Sequence, residues 1–269
     1  MAVRGHDGPD GHEFGTATLA FTSDAHLASV VTRHRRPPDD APTVSGAELP
    51  DLEPGLTLLE FDDGLASALQ ALVVDHLLRS DGRARWIDAG GRARTTTLRE
   101  LAPSRRLLNR VRIARAFTAF QHATLVGTVD DRLRAADAAP AVVVCPAVDL
   151  LARTGDLDGH ERDELLLSTV ATLARVARAH DCPVLVTRTP EVPGRVDGAL
   201  ERAADRTLAC EATRFGPRFA GDGTETLVYA ADADGWRQTT IAYWARILAA
   251  RADAADAAPT PEVTARGSN

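Results

Sequence analysis

Apolar residues along this chain follow two rhythms. Short unbroken runs alternate with stretches whose apolar positions fall three and four apart, the marks of buried strand and amphipathic helix. Leu56–Phe61 (LTLLEF) predicts a strand, and Ala66–Leu78 predicts a helix with Leu69, Leu72, Val73 and Leu77 on one side. Arg85–Asp88 (RWID) and Val111–Phe117 (VRIARAF) are further strands, the second leading into a helix from Gln121 to Ala136. Ala141–Cys145 (AVVVC) is the clearest buried strand. His160–His180 predicts a long helix with Leu165, Leu166, Val170, Leu173, Val176 and Ala177 inward, and Pro183–Thr187 (PVLVT) is the next strand. After Ala199 the segments RTLACEATRF, TETLVYAAD and WRQTTIAYW read as strands. Alternation followed by ribbons predicts an α/β fold, a mostly parallel twisted sheet flanked by helices with an antiparallel C-terminal edge.

The ends break this pattern. A modest apolar segment covers Phe14 to Val31, and HRRPPDDAPT (34–43) reads as a linker because its proline pair forbids helix. The expected organisation is an N-terminal extension and linker over 1–52, a core domain over 53–250 and a disordered tail over 251–269. His6, Asp7, His12 and Glu13 lie in a Gly-rich stretch that reads as a floppy tail rather than a metal site. No apolar run reaches the roughly 18 residues of a membrane helix, and the first residues lack an apolar signal core, so the expectation is a cytoplasmic protein.

Composition sharpens the chemistry. All 31 basic residues of the 269 are arginine. No step can therefore use a lysine, whether as a Schiff base or as a phosphate-binding ammonium. The absence of lysine, with isoleucine and asparagine rare, fits a GC-rich genome, and the net charge of −7 permits a salt-adapted source. Cys145, Cys182 and Cys210 stand apart in or beside apolar runs, without zinc spacing, and read as buried small hydrophobes. No metal and no cofactor is expected. His122 and His160 are single and read as structural. Trp236, Tyr243 and Trp244 read as core packing in a closing strand and the helix adjoining it.

The order VRIARAFTAFQ, AVVVCPAVDLL, HERDELLLSTVATLARVARAHDCPVLVTRTPEV resembles the archaeal RadA/RadB recombinases of the RecA superfamily, over about residues 54–245. GALERAADRTLACEATR resembles that family's closing strands. The resemblance implies a RecA-like P-loop NTPase fold, and it marks positions where the ATPase machinery should stand. The phosphate loop should be glycine-rich, with a lysine for the phosphates and a hydroxyl for Mg²⁺. The corresponding stretch is FDDGLASA: Gly64 is kept, Phe61 and Ala66 replace glycines, Ser67 replaces the lysine, and Ala68 replaces the hydroxyl residue. Cys145 stands where the Walker B carboxylate is implied. Asp88 persists in the stretch that should carry the catalytic acid, but Gly90 takes the glutamate's place. Thr189 stands where a γ-phosphate-sensing glutamine is implied. Losing one preorganised charge or donor costs about 3 kcal/mol of transition-state stabilisation. The resemblance therefore points to a fold kept and an ATPase lost: a non-catalytic paralogue, accessory or regulatory in DNA recombination and repair. The alternatives are a DNA-dependent ATPase with a rebuilt nucleotide site, and a degenerate P-loop scaffold unrelated to DNA.

Partner surfaces are sparser. Ten arginines lie between Arg83 and Arg115, opposed only by Asp88 and Glu100, a local balance of +8 that leaves −15 for the remaining chain. Arg83, Arg92, Arg94, Arg105 and Arg106 are the candidates for weak, non-specific DNA binding or for an acidic partner; the alternative is a solvated face. Arg112 and Arg115 are expected to point to opposite sides or to pair with carboxylates. The family's DNA-facing loops would fall at Arg153–Glu161 and Pro190–Asp197, both poor in basic residues and without aromatics for stacking. Phe14-Gly15-Thr16-Ala17 matches the F-x-x-A segment through which the family polymerises, so Phe14 and Ala17 are candidates for self-association or for docking on a RadA-type recombinase.

Overall fold

The computed structural model describes residues 49–61, 65, 67–135, 139–155, 157–189, 195–213, 216–221, 224–227 and 240–257. Phe14 and Ala17, the 34–43 linker and Trp236 lie outside them. Strands β1 (Gly55–Phe61), β2 (Ala84–Ala89), β3 (Val111–Ala116), β4 (Val142–Cys145), β5 (Pro183–Val186), β6 (Arg206–Thr213), β7 (Gly216–Gly221) and β8 (Thr224–Leu227) form one sheet in the order β3-β2-β4-β5-β1-β6-β7-β8. The first six run parallel, and β7 and β8 add antiparallel at one edge. The predicted α/β class and its antiparallel C-terminal edge are both present.

Between the strands lie α1 (Ser67–Arg79), α2 (Thr95–Leu101), α3 (Arg105–Leu108), α4 (Ala119–Arg134), α5 (Leu150–Thr154), α6 (Gly159–His180) and α7 (Arg195–Ala203), with α8 (Thr240–Ala257) last. Every residue of β4 and β5 is buried, which is why these strands are continuous apolar runs. One core layer joins Leu59, Trp86, Val142 and Val144 to Leu69, Leu72 and Val73 of α1 and to Trp244, Ile247 and Leu248 of α8. The other joins Leu58, Ile87, Val143 and Val186 to Leu125, Val126 and Val129 of α4 and to Val170, Leu173 and Val176 of α6. All three cysteines are buried, and none is in a disulfide. Among the described residues no helix is long and apolar enough to cross a membrane.

Two strand expectations fail. WRQTTIAYW was expected as a strand, yet from Thr240 the chain is helical. Its aromatic and β-branched residues favour strand locally. Trp244, Ile247 and Leu248, three and four apart, bury together only as a helix, with the Trp244 ring 6.0 Å from that of Phe219. Likewise GALERA, assigned to the closing strands, belongs to α7, and the first closing strand begins at Arg206. Helix α8 also carries the chain to Ala257, past the tail expected from 251. That extension holds a buried contact. Asp75 of α1 is inaccessible to solvent, with Arg79 Nη2 at 2.7 Å and Arg251 Nε at 2.9 Å. Burial raises the Asp75 carboxyl above its ordinary range, and the two arginines pull it back.

Truncation tests this contact. Ending the chain after Ala250 removes Arg251 and leaves Asp75 with half its compensation, a loss of roughly 1–3 kcal/mol. The melting temperature should fall by about 3–10 °C. Ending it after Ala257 should leave it unchanged. Equal melting temperatures for the two truncations would show that the Arg251–Asp75 pair contributes nothing.

Candidate functional site

In an open parallel sheet, ligands bind beyond the carboxyl ends of the strands, where neighbouring connections leave on opposite faces. Here the β1 connection leads to α1 in one layer, while those of β4 and β5 lead to α5, α6 and α7 in the other. The crevice thus falls at the ends of β1, β5, β4 and β2. Phe61, Ser67, Ala68, Asp88, Gly90, Cys145 and Thr189 all stand at this edge; Gly64 and Ala66 lie outside the described residues.

Their side chains face inward or are already engaged. Phe61 ends β1, opposite Cys210 of β6, and packs on the first core layer. Ala68 is fully buried and offers a methyl group. Ser67 opens α1, and its buried hydroxyl has no hydrogen-bond partner among the described residues. The Asp88 carboxylate accepts the Ala93 N–H at 2.8 Å through Oδ1 and faces Arg115 Nε at 3.3 Å through Oδ2. It therefore ties the β2–α2 loop to the edge strand. Gly90 has φ +66°, and a Cβ there would stand 2.3 Å from Leu150 Cδ2, so a glutamate would be strained at this position.

Cys145 closes β4 with its Sγ 3.3 Å from His122 Nε2. Burial, and after it the Asp88 charge, pushes the thiol far up, while burial lowers His122 from 6.5 to about 4. A neutral thiol beside a neutral imidazole, both out of reach of solvent, is a packing contact and not an activated nucleophile.

The loops beyond β4 and β5 are stitched together by contacts the sequence did not signal. Asp149 accepts the Thr189 N–H at 2.9 Å and the Thr189 hydroxyl at 2.6 Å, and Arg153 Nε lies 2.5 Å from it. The Ala147 N–H donates to Thr187 Oγ1 at 2.8 Å. Arg188 donates to Glu201 at 2.8 Å and to Glu60 of β1. No periodicity marks these residues; only the adjacency of β1, β5 and β4 brings them together. Among the described residues no group of three His, Cys, Asp or Glu could hold a metal ion.

The arginine-rich stretch does not make one surface. Arg92 and Arg94 follow β2 at the carboxyl edge, whereas Arg83, and Arg105 and Arg106 of α3, lie at the opposite, amino edge. Arg110 is spent on the carbonyls of Leu77, Ser80 and Gly82. His160 is exposed, 3.6 Å from Glu164. Of the two loops compared with DNA-facing loops, Asp158 caps α6 by accepting from the His160 and Glu161 N–H groups, and 190–194 lie outside the described residues. No family model matches the chain, and no curated protein matches it.

His122 makes the burial of this edge measurable. Its folded pKa lies below the unfolded value, so the unfolded state binds the extra proton and stability falls as pH drops below 6.5. Between about pH 7.5 and about pH 5 this single group should cost about 2 kcal/mol. Denaturant titrations should show His122→Leu losing that portion of the pH dependence, with the part due to His76, also lowered by burial, remaining. An unchanged slope would place His122 in contact with water.

Proposed function

We propose that this chain has a RecA-like core of the RadA/RadB type with its nucleotide chemistry lost, and that it acts as a non-catalytic accessory or regulator in DNA recombination and repair. The order of motif-bearing segments supports the family reading. So does the arrangement of their strands: the segments that resemble motif strands, together with LTLLEF, are neighbours in one parallel sheet whose C-terminal edge is antiparallel. The observation that carries the loss of catalysis is the mutual engagement of the polar groups beyond β1, β5, β4 and β2. Asp88 holds a loop and Arg115, Asp149 holds Thr189 and Arg153, and Arg188 spans Glu60 and Glu201. Phosphoryl transfer depends on cations and a metal placed around the phosphates. These carboxylates and cations compensate one another, and Cys145 and Ala68 offer no oxygen ligand to Mg²⁺. The partner would be a RadA-type recombinase, a further copy of the chain, or DNA.

One observation favours the ATPase alternative. Among the described residues the buried Ser67 hydroxyl at the start of α1 lacks a partner, as a phosphate-binding hydroxyl without its ligand would.

Calorimetric titration of the full chain with ATP and Mg²⁺ decides between them. The accessory reading predicts no binding in the micromolar range. A saturable, stoichiometric isotherm that weakens in Ser67→Ala would establish the rebuilt nucleotide site instead.

A further inference from the structure

The amino edge of the sheet, remote from the site above, carries two arginines, Arg85 and Arg112, that pair with no carboxylate among the described residues. Arg85 and Arg112 are the second residues of β2 and β3 and are direct register partners. Neighbouring strands stand about 4.8 Å apart, and register partners share a face. That face carries Ile87, Ala114 and Ala116, and α4 covers it. Helix α4 follows β3 and runs back along it, so its last turn, with Arg132, reaches the amino edge. Arg83 stands in the turn that enters β2. Burial, and after it the charges of Arg83, Arg112 and Arg132, holds the Arg85 guanidinium below its ordinary range.

Like charges directly opposed on neighbouring strands destabilise a sheet, and partial burial adds to the cost. Two other arginines of the segment are compensated: Arg115 faces Asp88, and Arg110 donates to three carbonyls. Arg85 and Arg112, both half-buried, have no carboxylate within ion-pair distance among the described residues. The acidic residues nearest along the chain are engaged or turned to solvent: Asp130 and Asp131 pair with Arg134, and Asp81 is exposed. The negative, carboxyl end of α4 offsets a fraction of the charge.

We propose that Arg85 and Arg112 grip a phosphate between their guanidinium forks, with Arg83 beside them, and that this amino-edge surface takes the sugar–phosphate backbone of a nucleic acid. Planar guanidinium groups match phosphate oxygens in pairs, and two on adjacent strands reach one phosphate together. The cations run from the turn at Arg83 across β2 to β3, the last strand of the sheet, whose outer side pairs with no further strand among the described residues. An extended ligand can therefore continue past the pair, which a closed pocket for a small anion would prevent. This deepens the accessory reading by naming the surface that meets DNA, and rests on that reading for the choice of nucleic acid. It does not depend on the fate of the nucleotide site at the other edge.

The test is fluorescence anisotropy of labelled single- and double-stranded oligonucleotides with the full chain across a salt series. About three phosphate contacts predict slopes of log K against log salt near −2 for single strands and near −3 for duplex. The double variant Arg85→Ala/Arg112→Ala should weaken binding about tenfold or more and flatten the slope by about one unit per arginine. Its melting temperature should hold or rise, because a repulsion is removed, so weak binding cannot be ascribed to unfolding. Arg92→Ala/Arg94→Ala, at the opposite edge, should bind as the parent does. No binding at low salt would overturn the proposal, as would equal losses in the two double variants. Displacement of the probe by tripolyphosphate at the same phosphate concentration would assign the site to a small anion instead. Displacement by polyglutamate at equal charge would assign it to an acidic protein. Failure here with no ATP binding in the calorimeter removes the DNA surface alone; ATP binding with success here removes the non-catalytic reading alone.

Discussion

Arg188 donates to Glu60 on one side and Glu201 on the other, and Asp149 accepts from Thr189 while facing Arg153. These pairings join the ends of β1, β4 and β5 to the helices that follow. Each group is compensated by a neighbour from another element. A bound phosphate would have to take Arg188 from two carboxylates, and a divalent cation would have to take Asp149 from Thr189 and Arg153. Internal compensation of this kind stabilises the loops and commits the charges of Arg188, Asp149 and Arg153 to one another and to their neighbours.

The two edges of the sheet therefore differ in kind. At the carboxyl edge, opposite charges meet across adjacent strands and loops, and Gly90 permits the close approach of Leu150. At the amino edge, Arg85 and Arg112 are held side by side by strand register alone. Both arrangements follow from one parallel sheet, because register partners share a face whatever their charge. Asp88 opposite Arg115 and Arg85 opposite Arg112 are two outcomes of the same β2–β3 pairing, on opposite faces. The arginines of an edge strand also discourage pairing with a further strand.

The central strands are legible in the sequence because burial on both faces leaves only apolar residues; AVVVC and PVLVT have no competing reading. Helices α4 and α6 are legible because their apolar faces repeat over several turns. The short α2, α3 and α5 span too few turns to show a period. WRQTTIAYW misleads because its local preference for strand opposes the tertiary contacts of Trp244, Ile247 and Leu248. The positions Cys145, Asp88 and Gly90 can be located along the chain, but what they touch cannot. Asp149 and Thr189 lie forty residues apart, and only the pairing of β4 with β5 brings them together. The arginine-rich stretch reads as a single patch because sequence proximity conceals that β2 separates Arg83 from Arg92 by the length of the sheet.

Amide hydrogen exchange at Ala93, Ala147 and Thr189 reports whether the carboxyl edge is closed, since their N–H groups bond to Asp88, Thr187 and Asp149. Protection comparable to that of the β4 and β5 amides is expected in the free protein, unchanged when ATP and Mg²⁺ are added. Rapid exchange in the free protein that slows with nucleotide would contradict it, because the carboxyl edge would then be open and awaiting its ligand.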